Sequence, residues 1–102
     1  MLTIHTLKLK DIYFQAVVEG KKTFELRYND RNYQTGDIIA LCDVSEKGHY
    51  LGRVVVKQIS YILADYEGLK ENWVILGLNA FDTNDKSLMD EINNQIRQKF
   101  AS

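Results

Sequence analysis

The sequence predicts an α+β fold: a small, mixed, partly closed β-barrel with short helices and an extra C-terminal helix. Three observations lead there. Five segments between residues 2 and 78 are rich in β-branched and aromatic residues and are separated by Gly, Asn and Asp turns. A glycine, Gly20, closes a short helical stretch just before the second of them. After residue 81 the pattern changes, and Leu88, Ile92, Ile96 and Phe100 recur every four residues, the repeat of an amphipathic helix.

Residues 2–7 alternate apolar and polar side chains and read as the first strand. Asp11 is positioned to cap a helix running to about residue 19, with Ile12, Ala16, Tyr13 and Val17 as its buried stripe. In the strand over 23–28, a period of two sets Phe24, Leu26 and Tyr28 on one face and Thr23, Glu25 and Arg27 on the other. A polar loop at 29–32 and the turn Gly36-Asp37 lead into a strand at 38–44. Glu46-Lys47-Gly48 turns this strand back into one over 50–63, which is too long to be straight and needs a bend or bulge near Gln58 or Ser60. Residues 65–71 form a crossover. Residues 73–78 are continuously apolar, which predicts burial on both faces. The final helix spans 85–100, with Asp85 or Ser87 as its cap.

At 102 residues and 45% hydrophobic content, with six Tyr, four Phe and one Trp, the chain has core material for one folded domain and is not a disordered one. Its one cysteine, Cys42, has no internal disulfide partner and suits a reducing, cytoplasmic setting. The first five residues lack the basic start and apolar stretch of a signal peptide. The longest apolar run, residues 38–42, is far short of a membrane span, so no membrane partner is expected. His5, His49 and Cys42 are not at metal-site spacing, and neither a metal nor a cofactor is implied. Cys42 reads as a buried, inert thiol, His5 as a structural histidine and Trp73 as core. A net charge of −1 argues against a strong, sequence-blind nucleic-acid binder. Residues 1–34 nevertheless hold six basic against four acidic side chains, and any basic patch is expected there.

The stretch Gly20-Lys21-Lys22-Thr23-Phe24-Glu25-Leu26-Arg27 is the most informative. Opposite charges at i and i+2 on one strand face can reach each other or jointly hold a polar ligand. From spacing alone the plainer reading is a solvated ion pair worth well under ~1 kcal/mol. The pattern Gly20-x-Lys22-x-x-Glu25-x-Arg27 also resembles the G-x-K-x-x-E-x-R signature of the ASCH superfamily, whose fold is a PUA-like β-barrel. His5-x-Leu7, Tyr13-Phe14, Arg27-x-Asn29-Asp30-Arg31, Tyr33-x-x-Gly36-Asp37 and Tyr61-Ile62-Leu63-x-Asp65-Tyr66-x-Gly68-Leu69 resemble its DUF3850 branch, over roughly residues 3–81. The resemblance implies an ASCH/PUA-like domain over 1–81, with 82–102 as a C-terminal amphipathic helix packed on the same domain.

It further implies an RNA-binding or RNA-related module, with Lys22, Glu25 and Arg27 lining a cleft beside the first helix. Some relatives are small amidohydrolases acting on acetylated cytidine, in which a threonine stands where this chain has Glu25. Were this chain such an enzyme, Lys22 and Glu25 would be its catalytic pair. Arg31 is a second candidate for phosphate contact, against a loop-bracing ion pair with Asp30 or Asp37. Tyr33 is the better base-stacking candidate, since Tyr28 shares the Phe24 and Leu26 face and reads as core. Asp65, Glu67 and Glu71 form an acidic crossover from which one carboxylate can face the cleft. The leading expectation is a module that binds RNA or a nucleotide-like ligand through Lys22, Glu25, Arg27, Arg31 and Tyr33. A small amidohydrolase and a protein-interaction module, the latter with homodimer contact through the C-terminal helix, are the alternatives.

Overall fold

In the computed structural model, which describes residues 2–101, the elements follow the order β1 (Ile4–Lys10), α1 (Asp11–Val18), β2 (Phe24–Tyr28), β3 (Ile38–Val44), β4 (Tyr50–Leu63), β5 (Trp73–Ala80) and α2 (Lys86–Lys99). Met1 and Ser102, the outermost residues of the two segments drawn from the sequence, lie outside the described residues. The strands form one mixed sheet in the order β1-β3-β4-β5-β2. β1 and β3 are parallel and every other pair is antiparallel. The sheet curls into a half-barrel, so its edge strands β1 and β2 approach one another: an Arg27 amino group on β2 donates to the Lys8 carbonyl on β1 at 2.6 Å.

β3 is buried along its whole length because both of its faces are covered. Ile39 and Leu41 point into the concave core with Leu7, Leu9, Ile59, Val74, Leu76 and Leu78, and α1 closes that core with Phe14 and Val17. Ile38, Ala40 and Cys42 point the other way, onto Ile92 and Ile96 of α2. Leu88 and Phe100 pack at the margin of the same cluster, so the whole apolar stripe of α2 lies against the chain's own sheet. Each fully buried Ile, Leu, Val or Phe here contributes about 1.5–3 kcal/mol relative to exposure. Asp85 caps α2, accepting from the Leu88 amide at 3.2 Å. The bend in β4 is a register shift against β5 between Ile59 and Tyr61.

Three local expectations are corrected. In α1, Asp11 is the first helical residue and Lys10 occupies the cap without a side-chain bond. The buried stripe of α1 is Phe14 and Val17, while Ile12 is exposed, because residues 12–14 and 16–18 are all apolar or aromatic and the contact with β1 and β3 selects the face. In β5 only Val74, Leu76 and Leu78 are buried, so this strand alternates and has one covered face. Gly20 does end α1. With a φ of 75°, its amide donates to Val17 O and the Lys21 amide donates to Ala16 O, the paired bonds of a Schellman closure.

Asp43, on β3, is 1% exposed; Arg53 Nε donates to its Oδ2 at 3.1 Å, while Oδ1 has no hydrogen-bond partner among the described residues. Burial, reinforced by neighbouring Asp11, pushes its carboxyl above the usual carboxylate range. With the folded pKa raised, the favourable contribution of Asp43 is complete below the ordinary carboxylate pKa and is lost as pH rises through the raised value. Asp43→Asn removes that dependence. Thermal unfolding at pH 4 and pH 7 is expected to favour the variant over the parent more at pH 7, and an equal difference at both pH values contradicts this account.

Among the described residues no helix is long and apolar enough to cross a membrane. No group of three or more His, Cys, Asp or Glu side chains there is arranged to hold a metal ion.

Candidate functional site

The open seam between β1 and β2 is lined by charged side chains. The Schellman closure at Gly20 brings Lys22 to the approach of β2, two residues before Phe24. Within β2 the register with β5 pairs Glu25 with Leu76 and Arg27 with Val74, which sets both charged side chains on the concave face. Glu25 is only 4% exposed. One of its carboxylate oxygens accepts from Lys22 Nζ and the other from Arg27 Nε at 3.0 Å. Lys22 also donates to Phe24 O at 2.7 Å and lies 5.0 Å from the Phe24 ring centroid. Glu25 is therefore fully engaged and holds two cations in place, which is a different object from a solvated surface pair.

Arg27 spans the seam. Its Nε and Nη2 engage Glu25 and the Lys8 carbonyl, and Nη1 has no hydrogen-bond partner among the described residues. On one side of it lies a hollow of about 330 Å³ walled by Lys10, Tyr13, Lys22, Phe24 and Glu25. On the other side lies one of about 390 Å³ walled by Tyr28, Asp30, Arg31, Tyr33, Trp73 and Lys99. Lys8, Leu26 and Arg27 belong to both, so the two hollows are lobes of one groove. Six cations (Lys8, Lys10, Lys22, Arg27, Arg31 and Lys99) line it against the two carboxylates Glu25 and Asp30, although the whole chain carries 13 basic and 14 acidic side chains. The rest of the molecule is correspondingly acidic.

The loop between β2 and β3 is held firmly. His5 Nε2 and Asp37 Oδ2 are 2.8 Å apart in the interior, and Asp37 Oδ2 also accepts from the Gln34 amide at 2.9 Å. The Tyr33 ring meets His5 edge-on at 4.8 Å. Asn32, in the left-handed region at φ 50°, turns the chain immediately after Arg31. Arg31 is exposed and forms no ion pair among the described residues, so the loop-bracing alternative with Asp30 or Asp37 is not what the structure contains.

The aromatic assignments are reversed. Tyr33 is 4% exposed, and burial raises its hydroxyl pKa, so only part of it reaches the groove wall and its ring faces are not free for stacking. Tyr28 is 48% exposed and meets Trp73 edge-on at 5.9 Å. These two rings are the aromatic surface of the larger lobe. For Tyr28 the cause is strand register: Phe24, Leu26 and Tyr28 share a face, as their spacing requires, but that face points outward. Asp65, Glu67 and Glu71 are exposed and line neither lobe.

Lys8, Lys10, Lys99, Tyr28 and Trp73 are among the groove residues that sequence reasoning did not select. Lys8 lies on β1 where alternation turns it outward, a signal present in the sequence. Lys99 has none, since only the packing of α2 brings the chain's end to the seam.

A curled α+β sheet with a cation-lined groove along its open edge is thus the class this chain defines. It belongs to the DUF3850 family, described as a domain of unknown function, whose pattern its residues 4–78 match. It is also 40% identical over 76 residues to the "Uncharacterized 12.9 kDa protein in GpA 3'region" of Escherichia phage P2, an alignment covering 74% of this chain and 68% of that relative.

Proposed function

We propose that the seam groove binds single-stranded RNA or a nucleotide-like ligand, with Arg27 and Arg31 meeting phosphate and Tyr28 with Trp73 stacking on a base. The observation that carries this reading is the gathering of six cations beside two partly exposed aromatic rings in a chain of net charge −1. Glu25 serves as a positioning residue that orients Lys22 and Arg27. The signature Gly20, Lys22, Glu25 and Arg27, together with the curled sheet, supports assignment to the ASCH superfamily and a PUA-like fold. A cytoplasmic, reducing location suits the lone thiol of Cys42, which burial pushes up to about 11.

A second reading, hydrolysis of a modified nucleoside such as acetylated cytidine, is favoured by one observation: the half-buried Lys22 has the Glu25 carboxylate in hydrogen-bond reach. Against it, Glu25 is already shared with Arg27 and Lys22 is held as its ion-pair partner, which leaves neither a free base nor a free amine.

Trp73 is the chain's one tryptophan and lines the groove, so it reports on occupancy without labelling. Titration with nucleotides and short single-stranded RNAs is expected to quench Trp73 emission saturably. Acetylated cytidine incubated with the protein is expected to keep its acetyl group. An unchanged spectrum across the panel removes the binding reading, and acetate release above background promotes the hydrolase.

A further inference from the structure

The larger lobe of the groove has a feature that the DUF3850 match over residues 4–78 does not cover: one of its cations comes from the C-terminal helix. From Ile92 to its C-terminal cap, α2 is fixed at three points. Ile92 and Ile96 are buried against the sheet, Thr6 Oγ1 donates to Gln95 Oε1 at 2.5 Å, and the Phe100 ring stacks on Tyr50 with centroids 4.7 Å apart and planes 12° from parallel. Lys99 therefore sits over the groove on a rigid support. Arg31 and Lys99 together line both the 390 Å³ lobe and a shallower hollow that continues past it along Thr6, Gln95 and Gln98. Lys8 completes the group, its Nζ lying 5.7 Å from the Phe100 ring centroid.

Among the described residues none of these three cations has an ion-pair partner. Partial burial and the nearby charges of Arg31 and Lys8 push the Lys99 amine below the usual lysine range. Holding like charges together without a counter-ion is unfavourable, and a bound anion reverses the sign of that interaction. A terminal phosphate monoester carries close to two negative charges at neutral pH, against one for an internal phosphodiester. It answers three convergent cations better.

We propose that Lys8, Arg31 and Lys99 form a subsite for the terminal phosphate of the ligand, making the groove selective for a nucleotide or RNA end that carries a phosphate monoester. This rests on the nucleotide-binding reading above and deepens it. α2 is, on this account, a component of the binding site as well as of the core.

The test is calorimetric titration of the full chain with cytidine, cytidine 5′-monophosphate and inorganic phosphate at one fixed ionic strength. The parent is expected to prefer the monophosphate to cytidine by at least about tenfold, the scale of one charge-assisted contact. Lys99→Gln, and independently Arg31→Gln on its exposed loop, are expected to reduce that preference to less than about threefold. A merely structural role for Lys99 would weaken both ligands in proportion and keep the ratio, which overturns the proposal. Equal affinity of the parent for cytidine and its monophosphate also overturns it while leaving the groove reading standing. Inorganic phosphate binding as tightly as the monophosphate overturns the nucleotide assignment in favour of a free anion. No binding of any of the three to the parent overturns subsite and groove together.

Discussion

Arg27→Ala is expected to weaken nucleotide or RNA binding by roughly ten- to a hundredfold, the loss of one charge-assisted contact worth about 1.5–3 kcal/mol. Two features of Arg27 account for an effect of this size. Its guanidinium is pre-oriented by Glu25 and by the Lys8 carbonyl, and its Nη1 is left for a ligand at the junction of both lobes. The same substitution costs stability, because Glu25 is 4% exposed and keeps only Lys22 as its counter-charge. A loss of about 1–3 kcal/mol follows from leaving part of a buried carboxylate unsatisfied. Arg27→Lys keeps the positive charge but lacks the fork that reaches Glu25 and Lys8 together, and is expected to fall between parent and Ala in both assays. Binding at parental strength by a folded Arg27→Ala protein contradicts the groove.

Ile92→Ala is expected to lower stability by about 2–5 kcal/mol, measured by chemical denaturation. Ile92 is fully buried between α2 and the outer face of β3, among Ile38, Ala40 and Cys42. Removing three carbons there leaves a cavity that β3, held by pairing on both sides, is poorly able to close. Exposed Asn93, on the same helix, is the control: Asn93→Ala is expected to change stability by no more than about 0.5 kcal/mol. If the two substitutions cost the same, α2 does not share the core.

Particular residues show how far the sequence could be read. β3 is legible because a compact apolar run bounded by turns has few alternatives, and α2 because its four-residue spacing selects one face. The bulge in β4 follows from length alone. β2 shows where such reading stops. Period two divides Phe24, Leu26 and Tyr28 from Glu25 and Arg27, but which set faces inward depends on register with β5, a partner more than 40 residues away. Hydrophobicity points to the wrong answer here, since a carboxylate with two cationic partners can be buried while the apolar row of an edge strand stays exposed. That inversion also exposes Tyr28, whereas Tyr33 is buried by the packing of its loop against His5. The signature residues Lys22, Glu25 and Arg27 do come together, as their spacing allows, and Arg31 joins them across the groove. Lys99 is illegible for a different reason: residues 82–102 hold three basic against four acidic side chains, and only the fold carries Lys99 to the basic seam.

The most direct test of the central claim is an amide and side-chain NMR titration of the full chain with a short 5′-phosphorylated single-stranded RNA. The account predicts perturbations confined to the seam, at Lys8, Arg27, Tyr28, Arg31, Trp73 and Lys99, with exposed Tyr61 and Tyr66 unmoved. Perturbations centred on Tyr61 and Tyr66, or none anywhere at millimolar RNA, would contradict it.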